Sequence, residues 1–596
     1  MAEAVAAAIA AGRHLVVQAG TGTGKTLAYL VPAIESGVRV VVATATKALQ
    51  DQLATKDLPF LERTMGADFE WAVLKGRSNY VCLQRLRELA GGGDSAQLEL
   101  EGMAANTQAE VAKIAEWVGH TSTGDAAELE WAPNDATWRS VSVGSDECPG
   151  ADRCPLGDPC FAEQARRRAS VADVVVVNTH LYGLDVASSG MILPEHDLTV
   201  FDEAHVLEDV MSDTVGVQLA PGRFVRLASV VRRILDDPAT IGPLLELAEQ
   251  LREALGPHAG LRLPTPYPDA VHEVLLEARN RLERVTAALA AIETPVDDAK
   301  QRKLRAQIMT GRTIEHLDLA LGDHDGFVDF VSGAPETPRL EIAPLDVGPA
   351  LREGVWTRRT AVLTSATIPT SLPARVGLPS ERTDTLDVGS PFDYESNALL
   401  YCALHLPDPR SELYRNAVND ELTALITAAG GRTLALFTSW KAMDLAAAAV
   451  RERVDVPILT QRDLPKPALV RRFAADEETC VFATAGFFQG VDVPGRTLSL
   501  VVIDRLPFPR PDDPLLSARR ELLGPAAFSQ IDLPRAAMLL AQASGRLIRT
   551  TTDRGVVAVL DRRLGTARYR WDIIRALPPM RRTRDRADVE AFLATI

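Results

Sequence analysis

The chain has 596 residues, 46% of them hydrophobic and 24% charged, with a formal net charge of −16. That acidity excludes a broadly basic, histone-like binder, although a local basic groove can sit on an acidic body. No apolar run is long enough to span a bilayer, and the opening MAEAVAAAIAAGRHLVV lacks the basic n-region of a signal peptide, so the expectation is a cytoplasmic protein of roughly four domains.

The first informative element is HLVVQAGTGTGKTLAYLVPAI. Apolar Leu15 to Val17 predict a buried parallel strand, and Leu27 to Ile34 continue at helical spacing. Between them, Ala19-Gly20-Thr21-Gly22-Thr23-Gly24-Lys25-Thr26 reads as a P-loop with Ala at the first Gly position. Glycines there let successive backbone N–H groups turn inward around a β-phosphate at a helix N-terminus. Lys25 is then expected to bridge the β- and γ-phosphates of ATP, and Thr26 to offer its hydroxyl to Mg²⁺.

Next come Cys82, in LKGRSNYVCLQRL, and the run ECPGADRCPLGDPC with Cys148, Cys154 and Cys160. In a reducing compartment such cysteines favour metal or burial over disulfides. Two gaps of five residues fit the C-x₂₋₄-C pairs of structural zinc poorly, and a cubane cluster takes four thiolates at looser spacing. The flanking glycines and prolines suit a loop wrapped around a cluster. On residues alone, zinc and free buried thiols stay open. Cys402 and Cys480 fall in a later α/β region and read as core thiols.

HDLTVFDEAHVLED follows: Leu198 to Phe201 predict a strand ending in Asp202-Glu203-Ala204-His205. Asp202 at the strand's carboxyl end is expected to hold Mg²⁺ through water, and Glu203 to orient or deprotonate the attacking water. Beyond it, Val271, Leu275, Ala278, Leu282, Val285, Leu289 and Ile292 step by four and three, a helix–helix packing seam. Pro295 is expected to end that helix, and KLRAQIMTGRTIEHLDLAL to run back antiparallel. Packing within the chain is preferred to a dimerising coiled coil. TLALFTS, CVFATA, SLVVIDRL and GVVAVLD are short apolar runs between helical segments, a second parallel α/β domain.

These motifs together carry a resemblance. Asp-Glu-Ala-His is similar to the motif of superfamily 2 helicases. VVVATATKALQDQL resembles their motif Ia, AVLTSATI motif III, LALFTSW motif IV, FFQGVDVPG motif V and QASGRLIRT (Gln542 to Thr550) motif VI. LKGRSNYVCLQRL, the three close cysteines and VVVVNTHLYGLD resemble the iron–sulfur helicases of the DinG/XPD family, nearest its bacterial DinG branch. The resemblance implies an α/β fold of two RecA-like parallel-sheet domains with two insertions in the first. Residues 1–75, 166–206 and 340–385 would form the first motor domain, 76–165 an iron–sulfur cluster domain, 207–339 a helical arch, and 386–596 the second motor domain.

It further implies that Cys82, Cys148, Cys154 and Cys160 ligate a [4Fe–4S] cluster. Gln542 would belong to the nucleotide site, and Arg546 and Arg549 would be arginine fingers on the γ-phosphate, a role suited to a planar guanidinium. The implied activity is ATP-dependent DNA unwinding with 5′ to 3′ movement on single-stranded DNA, in repair or replication. Forked or 5′-tailed duplexes, R-loops or quadruplexes are the implied substrates, with a single-strand-binding protein as a further candidate partner of a monomer at the nucleoid. A nucleotide-gated DNA clamp and an RNA helicase are the rival readings. Lys75, Arg77, Arg166 to Arg168 and Arg505 to Arg510 are the basic candidates for nucleic-acid contact. Family members carry an adenine-reading Gln element before the first helix, and Met1 falls after that point. The expectation is a late-assigned or truncated start, or else weak discrimination of ATP from GTP.

Overall fold

The computed structural model describes residues 1–20, 22–66, 68–90, 105–235, 237–294, 297–484, 487 and 497–596. Thr21, Pro295 and all of FFQGVDVPG except Phe487 lie outside the described residues.

Five strands, β1 (His14–Ala19), β2 (Val40–Thr44), β3 (Trp71–Val73), β4 (Val174–Asn178) and β5 (Leu198–Asp202), precede a long insertion. Within that insertion lie β6 (Val217–Leu219), β7 (Phe327–Ser332) and β8 (Arg339–Pro344). After it, β9 (Thr360–Ser365) and β10 (Thr383–Gly389) return to the first sheet, whose order is β10-β1-β9-β5-β2-β4-β3. Every pairing in it is parallel. The near-continuous Val, Leu and Ala runs explain this: β2 and β5 are buried along their whole length, as strands covered by helices on both faces must be.

The second sheet joins β11 (Ala398–Cys402), β12 (Thr433–Phe437), β13 (Ile458–Thr460), β14 (Cys480–Thr484), β15 (Leu500–Ile503), β16 (Gly555–Val559) and β17 (Arg581–Thr583). Its order is β13-β14-β12-β15-β16-β11-β17, again parallel throughout. Cys480 is buried at the start of β14, and Cys402 is half-buried at the end of β11.

The insertion after β5 is built on four helices, Pro221–Leu235, Pro238–Leu255, Asp269–Ala291 and Asp297–Leu321, with their own apolar core over the antiparallel sheet β6-β8-β7. Val271, Leu275, Ala278, Leu282, Val285 and Leu289 are all buried in it, so the seam is intramolecular. The helix stops at Ala291, with Ile292 already extended, one residue short of the expected seam. Among the described residues, the segment carrying the four cysteines builds no separate core: Leu86, Leu89, Val111, Ile114, Val141 and Phe161 join the core beneath the first sheet. Among the described residues, no helix is long and apolar enough to cross a membrane.

Candidate functional site

In parallel α/β sheets, ligands bind beyond the carboxyl ends of the strands, and the carboxyl ends of β1 and β5 in the first sheet open onto a cavity of about 480 Å³ whose far wall is the second domain. Gly20, Gly22 and Lys25 line it from the turn after β1, Glu203 and His205 from the end of β5, and Gln542, Arg546 and Arg549 from the second domain. Gly22 (φ +78°) and Gly24 (φ +71°) hold left-handed backbone that a side chain would strain. The Thr23 hydroxyl closes the turn by donating to the Gly20 carbonyl at 2.8 Å. The helix Lys25–Glu35 starts directly after Gly24.

Lys25 Nζ donates to Glu203 Oε1 at 3.1 Å. Tyr29 donates its hydroxyl to Asp202 Oδ2 at 3.3 Å. Thr26, three residues before Tyr29, shares that helix face, so its hydroxyl and the Asp202 carboxylate point toward one region. Burial first, then the charge of neighbouring Glu203, push Asp202 up to about 6. Burial would raise Glu203 too, but the hydrogen bond from His205 and the Lys25 charge hold it well below the usual carboxylate range. The pair is thus split by its surroundings, with Glu203 ionised. Glu203 sits at φ +57°, rare for a residue with a side chain, which turns its carboxylate into the cleft.

His205 ties the cleft together. Ser365, at the end of β9, donates from Oγ to Glu203 Oε2 at 2.8 Å and lies 2.9 Å from His205 Nδ1. Gln542 Nε2 donates across the cleft to His205 Nε2 at 2.8 Å. That bond needs Nε2 as acceptor, so the imidazole carries its proton on Nδ1, facing Glu203 and Ser365. Tyr29, Ser365 and the His205–Gln542 bridge were not singled out by sequence; their only signal was membership of motifs III and VI and of the P-loop helix. One turn beyond His205, buried Glu208 accepts from Arg375, Arg519 and Arg535, joining the domains a second time.

Cys82, Cys148, Cys154 and Cys160 line a single separate cavity, together with Arg77, Gln301 and Arg305. Cys82 leads into the helix Leu83–Ala90, and Cys160 caps the helix Phe161–Val171. Burial pushes the Cys82 thiol up to about 12 and raises Cys154 and Cys160. Thiolates here therefore need a positive partner. Among the described residues, no three His, Cys, Asp or Glu side chains converge at the spacing one metal ion requires.

The basic candidates divide. Lys75 is buried, with Nζ 2.7 Å from Asp125 and 3.0 Å from Asp51, and Arg77 pairs with Glu163 at 2.6 Å inside the cysteine cavity. Both are structural, which corrects the expectation of nucleic-acid contact. Arg167, Arg168 and Arg510 are exposed, and Arg505 lies over the Tyr414 ring at 4.7 Å.

Two RecA-like sheets closing on a P-loop and a DEAH box define a superfamily 2 helicase motor. The DEAD/DEAH box helicase model matches residues 1–91, and the helicase C-terminal domain model matches residues 422–580. The ATP-dependent helicase DinG of Mycobacterium tuberculosis is 40% identical over 100% of this chain and 94% of the relative. The ATP-dependent DNA helicase YoaA of Escherichia coli is 35% identical over 100% and 95%. A solved XPD helicase aligns over 98% of each chain with a TM-score of 0.63 at 17% identity, which shows the shared fold. The chain belongs to the family of ATP-dependent DNA helicases that includes DinG and YoaA.

Proposed function

We propose that this chain uses ATP hydrolysis to move 5′ to 3′ along single-stranded DNA and to separate forked or 5′-tailed duplexes, with a [4Fe–4S] cluster in the cysteine cavity. The observation that carries the motor reading is the Gln542–His205–Glu203 chain, which connects the second domain to the hydrolytic carboxylate of the first. The backbone of Gly20 to Gly24 and Lys25 would hold the β- and γ-phosphates, with Thr21 in the same loop. Thr26 and Asp202 would hold Mg²⁺, which screens phosphate charge when bound. A triphosphate competes with Glu203 for Lys25, and Glu203 so released can accept a proton from water while His205 and Ser365 fix its second oxygen. Arg546 and Arg549, lining the opposite wall, would meet charge developing on the γ-phosphate as the domains close.

Cys82, Cys148, Cys154 and Cys160 would supply the four thiolates of the cluster, which cross-links a segment without its own core. Polarity rests on the family resemblance alone. DNA-stimulated ATPase activity and strand displacement on 5′- and 3′-tailed duplexes test the proposal. Activity with the 5′ tail, lost in Lys25→Ala and Glu203→Gln, is the expected result. An ATPase indifferent to DNA, or one driven equally by RNA strands, would overturn it. Iron and acid-labile sulfide near four each per chain are expected in anaerobically purified protein, and zinc without sulfide would refute the cluster.

A further inference from the structure

The P-loop touches the second domain at a place the arginines and Gln542 do not reach. β10 runs beside β1, and its last residue, Gly389, accepts the Gly20 N–H at 3.0 Å. The chain then passes through Ser390 and Phe392 to Tyr394 and β11, the first strand of the second sheet. A methyl group placed on Gly22 would sit 2.3 Å from Phe392 Cζ and 2.6 Å from Cε2, so the ring lies flush on the crest of the P-loop. The same ring packs on the apolar core beneath the second sheet. It meets Tyr394, a buried member of that core, edge-on at 6.4 Å.

We infer that Phe392 is a positioning residue that transmits P-loop movement to the second motor domain. Gly22 has no side chain through which anything could grip it, and its left-handed backbone at φ +78° suits glycine alone. The ring is a wall in van der Waals contact with that backbone, and even a 0.5–1 Å gap forfeits a quarter to a half of such contact energy. Drawing the loop's N–H groups inward onto a β-phosphate therefore either pulls Phe392 along or opens that gap. The link responds to the β-phosphate, which ADP and ATP share. The Arg546, Arg549 and Gln542 wall faces the γ-phosphate side, so the two contacts report different stages of the cycle. This inference rests on the ATP-driven motor proposed above.

The test compares wild type, Phe392→Ala and Phe392→Leu by fluorescent-ADP affinity and by DNA stimulation of ATPase turnover. Phe392→Ala should keep ADP affinity within about threefold and lose about tenfold of the stimulation, the size of an ordinary coupling between sites. Phe392→Leu, which keeps an apolar body against Gly22, should retain at least about half of it and also guards against a variant that fails to fold. Stimulation retained within about twofold in Phe392→Ala overturns the inference. So does a fall in ADP affinity as large as the fall in stimulation, because the ring would then be only a wall of the phosphate cradle. Wild-type protein with no stimulation by DNA would instead overturn the proposed function, which keeps the two failures apart.

Discussion

Glu88 and Arg305 clamp the helical insertion onto the cysteine segment. Glu88 lies on the helix that begins after Cys82, and its side chain is 1% exposed. Arg305, on the helix Asp297–Leu321, is 5% exposed and donates to both carboxylate oxygens, at 2.9 and 2.5 Å. Arg85 at 3.3 Å and Arg302 at 3.9 Å surround the same carboxylate. Glu88→Gln leaves three guanidinium groups around a neutral amide. Breaking a buried pair in this way costs about 3–5 kcal/mol. Arg305→Met is expected to cost roughly half as much, because Glu88 keeps Arg85 and Arg302.

The loss should appear as local opening, since the pair joins two elements rather than filling one core. At 1.4 kcal/mol per decade, a cost of about 3 kcal/mol is a shift of more than about 100-fold in the opening equilibrium. Hydrogen exchange resolved by segment is the assay; a single melting temperature means little for a multidomain chain. Amides of residues 83–90 and 297–321 should exchange more than about 100-fold faster in Glu88→Gln, with β12 and β16 unchanged. Exchange in those two helices within about threefold of wild type would refute the reasoning, as would a larger effect from Arg305→Met than from Glu88→Gln.

Other expectations are as direct. If His205 and Gln542 act as one unit, His205→Ala and Gln542→Ala should be non-additive in DNA-stimulated kcat/KM, with a coupling of about 0.5–1.5 kcal/mol; additive losses would dissolve the bridge. Cys154→Ser should lower bound iron and sulfide while leaving DNA-independent ATP turnover in place, because the cysteine and nucleotide cavities share no lining residue. Burial, then the Arg359 charge, hold His196 down to about 3 from its usual 6.5, with Nδ1–H donating to the Pro194 carbonyl and Nε2 facing the Tyr182 hydroxyl. A depressed histidine is protonated in the unfolded chain first, so its contribution is present above pH 6.5 and is lost as pH falls toward 3. First-sheet exchange protection should therefore fall by up to about tenfold per pH unit in that window, and less steeply in His196→Gln.

What sequence reveals and what it hides divide along a physical line. The P-loop and the DEAH strand were legible because a buried parallel strand, a glycine turn and a carboxylate at a strand end are local chemistry. The seam from Val271 to Leu289 was legible because helical periodicity alone fixes which side chains are buried. Contacts between distant segments were not. The Arg305–Glu88 pair spans 217 positions and His205–Gln542 spans 337, and nothing near either partner announces the other. Gly22 gave a sign that was read for phosphate alone: an obligatory glycine also marks where another group approaches closely, here Phe392. Lys75 and Arg77 misled for a related reason. A basic residue reads as available for phosphate, whereas Asp51, Asp125 and Glu163 had already claimed these two from elsewhere in the fold.

The interleaved order of the first sheet has a consequence for synthesis. β1 pairs with β10, and Gln18 bonds Asp387 across 369 positions. At about 5–20 residues per second on a ribosome, β1 waits roughly 20–75 s for that neighbour. All four cysteines, the last of them Cys160, have emerged long before β9 and β10 close the sheet. Under the cluster proposal, the nascent chain would present all four thiols while the motor is still an open half-sheet, and Gln301 and Arg305 would close the cavity over them later. If that proposal holds, iron scarcity would be felt during translation, on chains whose valine-rich strands are exposed, and not only on finished protein.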